Sequence, residues 1–258
     1  MRCKMWLIRF IRVICLGVIR MSMLNIVSQK VTDEHEKSGL SFFLNPYSYL
    51  ELRKQQNLLS SADNIYIDGQ WLCHFLKWSG VTNVKRRSFD NSSLAPDVFS
   101  LAEKNKSRVS VIGSDYESAV KFKQYLLNQY PNLNLVMSRD GYFKDDKEVK
   151  QTHLDIIDKQ VDLLIVGMGI IRQEQFLKDL KELGWNGSGY TCGGFMHQTA
   201  GKGHDYYPVW IDKLNLRFLY RIWDEPKLLR RYTIDYGMFV GLFFKDLSLK
   251  RLKHNDDK

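Results

Sequence analysis

Cysteine is scarce in this chain, long apolar runs are missing, and the familiar metal and dinucleotide motifs are absent. Among 258 residues there are four cysteines, Cys3, Cys15, Cys73 and Cys192, with no CxxC pair between them. That scatter excludes a disulfide framework. It also excludes a zinc site, although His74 adjoins Cys73, because adjacent residues lack the separation that zinc ligation needs. A reducing, cytoplasmic setting fits this cysteine usage. There is no DxD and no His/Asp/Glu cluster at ligand spacing, so the sequence implies no metal and no other cofactor. No internal repeat or low-complexity linker divides the chain. Near the N-terminus the longest apolar run, Val13 to Ile19, is far short of the roughly 20 residues that span a bilayer.

Charge of one sign is what the chain does have. The net charge of +9 favours polyanions: nucleic acid, anionic lipid or a diphosphate substrate. The bland alternative is a basic surface with no special partner. No stacking-aromatic or helix-turn-helix signature accompanies the charge, so no nucleic-acid partner is expected. The first 25 residues are apolar but interrupted by Arg9, Arg12 and Arg20, and lack a cleavage site. They read as a basic amphipathic segment on a membrane surface. A packed first helix, or an upstream extension before Met21 or Met23, are the alternatives.

From residue 40 onward short apolar runs alternate with helical patterns. Strands are expected at 41–45, 64–68, 108–113, 133–138, 162–167 and 189–194. Between them lie helical stretches such as 116–130, where Ala119, Phe122, Leu126 and Tyr130 recur at helical spacing, and 172–184. The alternation predicts a Rossmann-like α/β fold, a mostly parallel sheet with helices on both faces, whose ligands bind beyond the carboxyl ends of the strands. After residue 205 the pattern changes to consecutive helices, and the last ten residues read as a frayed tail. The expected organisation is a segment 1–39, a core 40–204 and a helical appendage 205–258.

Several residues could carry chemistry. Asp68 ends the strand NIYID before Gly69, the right place for an acid or base and equally a common turn pair. Asn45 ends a strand before Pro46, where it either meets a ligand or caps a helix. Arg87, in the run Lys85-Arg86-Arg87, could grip a phosphate or be one of a solvated charge run. Gly167 and Gly169 allow a tight turn into a helix beginning near Gln173 and Glu174, without the third glycine of the dinucleotide fingerprint. Gly193 and Gly194 form a second glycine turn, and His197 beside them reads as a structural histidine. Arg217 and Arg221 share one helix face, with Arg230 and Arg231 beyond, against a dimer or core helix as the alternative.

The segments ADNIYIDG (62–69), GMGIIRQE (167–174), GGFMHQTAG (193–201) and LNLRFLYRIWDEPKLLRRY (214–232), in this order and spacing, resemble the WecG/TagA/CpsF family of bacterial glycosyltransferases, glycosyltransferase family 26. The likeness spans about residues 40–235. It implies an inverting transfer of an N-acetylhexosamine-type sugar, N-acetylmannosamine or its uronic acid, from a UDP-sugar to undecaprenyl-diphosphate-linked GlcNAc for a surface polysaccharide. Asp68 matches the catalytic Asp. Asn45, Arg87, Gln173 and Glu174 and the four glycines match donor-binding positions. Arg221, Arg230 and Arg231 match arginines that hold the acceptor diphosphate at the membrane, and Arg217, on the same helix face as Arg221, is counted with them. The resemblance implies a peripheral position on the inner face of the cell membrane and allows a homo-oligomer. The chain departs from the family pattern at several positions: Phe43 replaces a Thr, Ile67 and Ile171 each a Pro, Met196 a Phe and His197 an Asp, and Asp90 and Ser92 stand where the family has Gly-x-Asp. The competing class is a non-catalytic, membrane-associated accessory subunit.

Overall fold

A computed structural model of the chain describes residues 23–34, 38–202, 211, 220, 222–223 and 229–256. Six strands form one parallel sheet: β1 Leu40–Leu44, β2 Asn64–Ile67, β3 Val109–Gly113, β4 Leu135–Arg139, β5 Leu163–Gly167 and β6 Ser188–Thr191, ordered β2-β1-β6-β5-β3-β4. All six expected strands form within a few residues of their predicted bounds. Helices α1 Met23–Lys30, α2 Pro46–Lys54, α3 Gln56–Ser60, α4 Gln70–Trp78, α5 Leu94–Lys104, α6 Tyr116–Gln129, α7 Asp146–Asp158, α8 Arg172–Glu182 and α9 Phe195–Lys202 fall between or beside the strands. A π turn at Arg231–Asp235 leads into α10, Tyr236–Asp256.

Strand alternation sends neighbouring side chains to two separate cores. Phe42, Leu44, Ile65, Ile67, Leu164 and Val166 face one core, shared with α1 to α4, α7, α8 and α10. Tyr66, Val109, Val111 and Ile165 face the other, shared with α5, α6 and α9, and Phe43 packs against it. Both faces are therefore covered, which is why β5 is apolar along its length and β3, apolar but for Ser110, is buried throughout.

The chain leaves β3 through α6 towards β4, and leaves β5 through α8 towards β6. These paths diverge across the sheet and lie on opposite faces. Diverging crossovers open a crevice at the carboxyl ends of the two strands. The strand ends approach closely there: a Cβ on Gly113 would lie 2.4 Å from the Gly167 carbonyl oxygen.

Residues 1–22 lie outside the described residues. The helix after them is packed, with Met23, Leu24, Ile26 and Val27 buried in the first core. At the other end α10 continues to Asp256, past the point where a frayed tail was expected. Leu247 is buried, and the residues beyond it, Leu249 to Lys253, are good helix formers that propagate an anchored helix.

Candidate active site

One cleft of about 1040 Å³ lies over the carboxyl edge of the sheet. It gathers Asn45 after β1, Asp68 and Gly69 after β2, Gly167, Gly169 and Gln173 at the β5–α8 turn, and Gly193 and Gly194 after β6. Residues far apart in sequence meet there because each follows the end of a strand in one parallel sheet.

Asp68 is held by its own backbone: its N–H donates to the Leu44 carbonyl at 2.7 Å. Its carboxylate is 38% exposed, and Arg86 Nη2 stands 3.9 Å from Oδ1. Asn45 caps α2, its Oδ1 accepting from the Ser48 N–H at 3.0 Å while Ser48 Oγ accepts from the Asn45 N–H at 2.7 Å. The cap uses Oδ1 only, so both readings of Asn45 coexist: the residue caps the helix and lines the cleft.

Within the run Lys85-Arg86-Arg87 it is Arg86 that lines the cleft, where the sequence predicted Arg87. Residues 84–87 run extended, with a bridge between Arg86 and Ile67, so neighbours alternate in direction. Lys85 pairs with Asp33 at 2.9 Å, and Arg87 Nε donates to the Asp33 carbonyl at 3.1 Å, away from the cleft. Arg86 meets Asp68, donates to Ser88 Oγ at 3.2 Å and lies 3.8 Å from Asp90.

At the first glycine turn, a Cβ on Gly167 would meet Cys192 Sγ at 2.8 Å and the Gly193 carbonyl oxygen at 2.9 Å, so only glycine fits. Gly169 has φ of +81°, a conformation glycine adopts freely. Ile171 also has positive φ, at +74°, and its N–H donates to Glu174 Oε2 at 2.6 Å. Proline could take neither that φ nor that donor role, which accounts for the departure at this position.

Glu174 was expected beside the ligand, but it is fully buried and off the cleft wall. One helical step turns it about 100° away from Gln173. Its Oε1 accepts from Gln173 Nε2 at 2.7 Å, and Gln173 Oε1 in turn accepts from the Gly193 N–H at 3.2 Å. Burial pushes the Glu174 carboxyl up to about 7.

Sequence reasoning missed several cleft residues because their motifs are unremarkable: Ser114, Tyr142, Arg172, Thr191, Gln198 and Tyr236. Arg172 donates to the Gly141 carbonyl at 3.3 Å and sits over the Tyr142 ring. His197 lines the cleft with Nδ1 3.0 Å from Ser118 Oγ and 3.4 Å from Asp115 Oδ2. Asp115 caps α6, and the Ser118 N–H and hydroxyl, with His197 adding less, hold its carboxyl down at about 2. The Cys192 thiol, buried, is pushed up to about 12 and stays protonated.

Phe43, at the family's Thr position, lines the cleft with its ring stacked on Tyr66 at 5.1 Å and edge-on to Phe89 at 6.0 Å. From the C-terminal part, Tyr236, Gly237, Phe239 and Val240 of α10 close one side. Arg230 is exposed and does not line the cleft. Arg217, Arg221 and the Arg231 side chain lie outside the described residues. Among the described residues no three His, Cys, Asp or Glu side chains converge as a metal site needs. No helix among them is long and apolar enough to cross a membrane.

The cleft thus presents a part-exposed carboxylate, two arginines and two glycine turns on one sheet edge, a set suited to a sugar nucleotide and an attacking hydroxyl. The chain is similar to a UDP-Gal:alpha-D-GlcNAc-diphosphoundecaprenol beta-1,4-galactosyltransferase of Shigella boydii, 35% identical over 222 residues, 86% of this chain and 92% of that enzyme. It is also similar to an N-acetylglucosaminyldiphosphoundecaprenol N-acetyl-beta-D-mannosaminyltransferase of Bacillus subtilis (strain 168), 24% identical over 181 residues, 70% of this chain and 68% of that one. A profile of the WecG/TagA/CpsF glycosyl transferase family matches residues 11–253, and the chain belongs to that family of glycosyltransferases.

Proposed function

We propose that the protein transfers galactose, with inversion, from UDP-galactose to a hydroxyl of undecaprenyl-diphosphate-linked GlcNAc in the making of a surface polysaccharide. The observation that carries the transfer is the part-exposed Asp68 carboxylate in one cleft with Asn45, Gln173, Arg86 and Arg172. The acceptor hydroxyl oxygen attacks the anomeric carbon as Asp68 takes its proton. The bond from that carbon to the diphosphate oxygen breaks, and UDP leaves. Arg86 and Arg172 neutralise the charge that develops on the diphosphate, and the N-terminal amides of α8 add their dipole.

The choice of galactose rests on two supports. The galactosyltransferase of Shigella boydii covers more of this chain, at higher identity, than the mannosaminyltransferase of Bacillus subtilis. Phe43 also puts an aromatic face, with no hydroxyl, at the family's Thr position. The N-acetylmannosamine-type donor suggested by the family resemblance is the competing choice. The enzyme works at the cytoplasmic membrane face, seated by the exposed aromatic residues of α4 and α10 and by the arginines of the C-terminal part.

The test is UDP release with a short-chain polyprenyl-diphosphate-GlcNAc acceptor and UDP-galactose, UDP-N-acetylmannosamine or its uronic acid. Release with UDP-galactose alone is expected. Release only with a mannosamine-type donor would overturn the choice of sugar, and no release with any would overturn the transfer itself.

A further inference from the structure

Gln173 and Glu174 form a hydrogen-bond chain whose direction has one solution. Glu174 sits between two donors, the Ile171 N–H at 2.6 Å and Gln173 Nε2 at 2.7 Å. An ionised carboxylate accepts at both oxygens and donates at neither, so it satisfies both. Gln173 must then turn its NH₂ towards Glu174 and its Oε1 towards the Gly193 N–H. One hydrogen of that NH₂ is used by Glu174. The other has no protein partner among the described residues, and Gln173 lines the cleft. The same chain ties the turn after β5 to the turn after β6 and holds Ile171, a β-branched residue, at a positive φ that it disfavours.

We infer that Glu174 is a positioning residue, whose buried carboxylate fixes the Gln173 amide so that it presents one N–H to the nucleotide-sugar as a donor. The partner is an acceptor atom of the ligand, a diphosphate oxygen, a sugar hydroxyl or a uracil carbonyl. This rests on the proposed sugar-nucleotide reading of the cleft. A protonated Glu174 would aim its hydrogen at one of two existing donors, so the chain holds only while the carboxyl is ionised. Burial, with no charged neighbour to offset it, pushes that carboxyl up to about 7. The elements packed on α8 are α3, β1, β5 and β6, and α7, whose buried His153 ring lies 4.2 Å from the Phe176 ring; none brings a charged group against Glu174 among the described residues. On its own helix Arg172 turns away to the Gly141 carbonyl. Donor binding therefore weakens as pH falls through about 7.

Two variants separate positioning from mere packing. In Glu174→Gln the amide can satisfy one of the two donors and opposes the other. The double swap Gln173→Glu with Glu174→Gln re-satisfies all three bonds, reversing only the one between the two side chains, but leaves no N–H for the ligand. Steady-state UDP release and calorimetric titration with UDP would be measured on the full chain across pH 5.5–8.5, with melting temperature as a fold control. Both variants should raise KM for the UDP-sugar and weaken UDP binding about tenfold, roughly 1.4 kcal/mol, with KM for the lipid acceptor unchanged. The limb near pH 7 should vanish in both. A swap that melts like wild type and restores wild-type KM makes the role structural and overturns the proposal, as does a Glu174→Gln variant with the wild-type pH limb. If wild-type protein binds no UDP and releases none, the sugar-nucleotide reading fails instead.

Discussion

At the scale of single residues, the proposed transfer assigns reaction to Asp68 and selection to Phe43. Asp68 is anchored by its backbone at the end of β2, so its carboxylate can be altered without disturbing the strand. Asp68→Asn keeps the shape and removes the base. A positioned base contributes about 10²–10⁴-fold, so kcat for UDP release should fall by that range with KM for the UDP-sugar little changed. A rise in KM alone, with kcat unchanged, would place Asp68 in binding. Phe43 acts on choice: Phe43→Thr removes a ring stacked on Tyr66 and restores a hydroxyl. The kcat/KM ratio of UDP-galactose to UDP-N-acetylmannosamine should drop about tenfold, within the roughly 1–3 kcal/mol that one pocket contact discriminates. An unchanged ratio would remove Phe43 from donor selection. Residue type and motif order were enough to put Asp68, Asn45, Gln173 and the four glycines together, because each stands just past a strand that the sequence pattern reveals. They were not enough to separate Arg86 from Arg87. Alternation along an extended segment decides which arginine faces the cleft, and its phase is set by the bridge to Ile67, a long-range contact. Nor could they show that Glu174 turns inward, since that depends on what packs over the first turn of α8.

At the scale of elements, the docking of α10 on α2 makes one wall of the cleft. Asp246, buried in α10, takes two bonds from Arg53, Nε to Oδ2 at 2.8 Å and Nη2 to Oδ1 at 2.7 Å. It also accepts from the Tyr49 hydroxyl at 2.7 Å, and burial followed by the Asp246 charge raises that hydroxyl well above its usual range. Phe243 and Phe239, one and two turns earlier, pack on Tyr49 and Phe75. Removing the carboxylate leaves the Arg53 charge and the Tyr49 hydroxyl without it, and breaking such a buried pair costs about 3–5 kcal/mol. Asp246→Ala should therefore lower the melting temperature by roughly 6–20 °C for a chain of this length, and lower activity too, since Phe239 and Val240 line the cleft. A melting temperature within 2 °C or so of wild type would show that α10 is held by its apolar face alone. The helix itself was legible as an apolar stretch. Its anchor was not, because Arg53 and Asp246 are 193 residues apart and no local pattern pairs them.

At the scale of the whole molecule, the question is how a chain with no membrane-spanning helix among its described residues would reach the lipid-linked acceptor proposed for it. The cleft wall formed by Trp71, Phe75, Phe239 and Val240 continues outward onto an exposed apolar face. Trp71 is 62% exposed, Trp78 61% and Phe244 43%, with the Trp78 and Phe244 rings edge to face at 5.4 Å. Exposed tryptophan beside a basic helix suits the interface between headgroups and acyl chains. The charge of +9 would draw that face to an anionic surface within about a Debye length, near 8 Å at physiological salt. Trp78 and Phe244 lie outside the cleft lining, so the double variant Trp78→Ala with Phe244→Ala separates docking from chemistry. Its co-sedimentation with vesicles containing anionic phospholipid should weaken about tenfold, whereas UDP release with a short-chain, soluble acceptor should stay within about twofold of wild type. Raising salt should weaken vesicle binding of both proteins further, because the charge attraction is screened while the apolar contribution is not. Equal sedimentation of variant and wild type at every salt concentration would assign membrane docking to another surface and leave the aromatic face to the acceptor's own polyprenyl chain, read as a rise in KM for long-chain acceptors only.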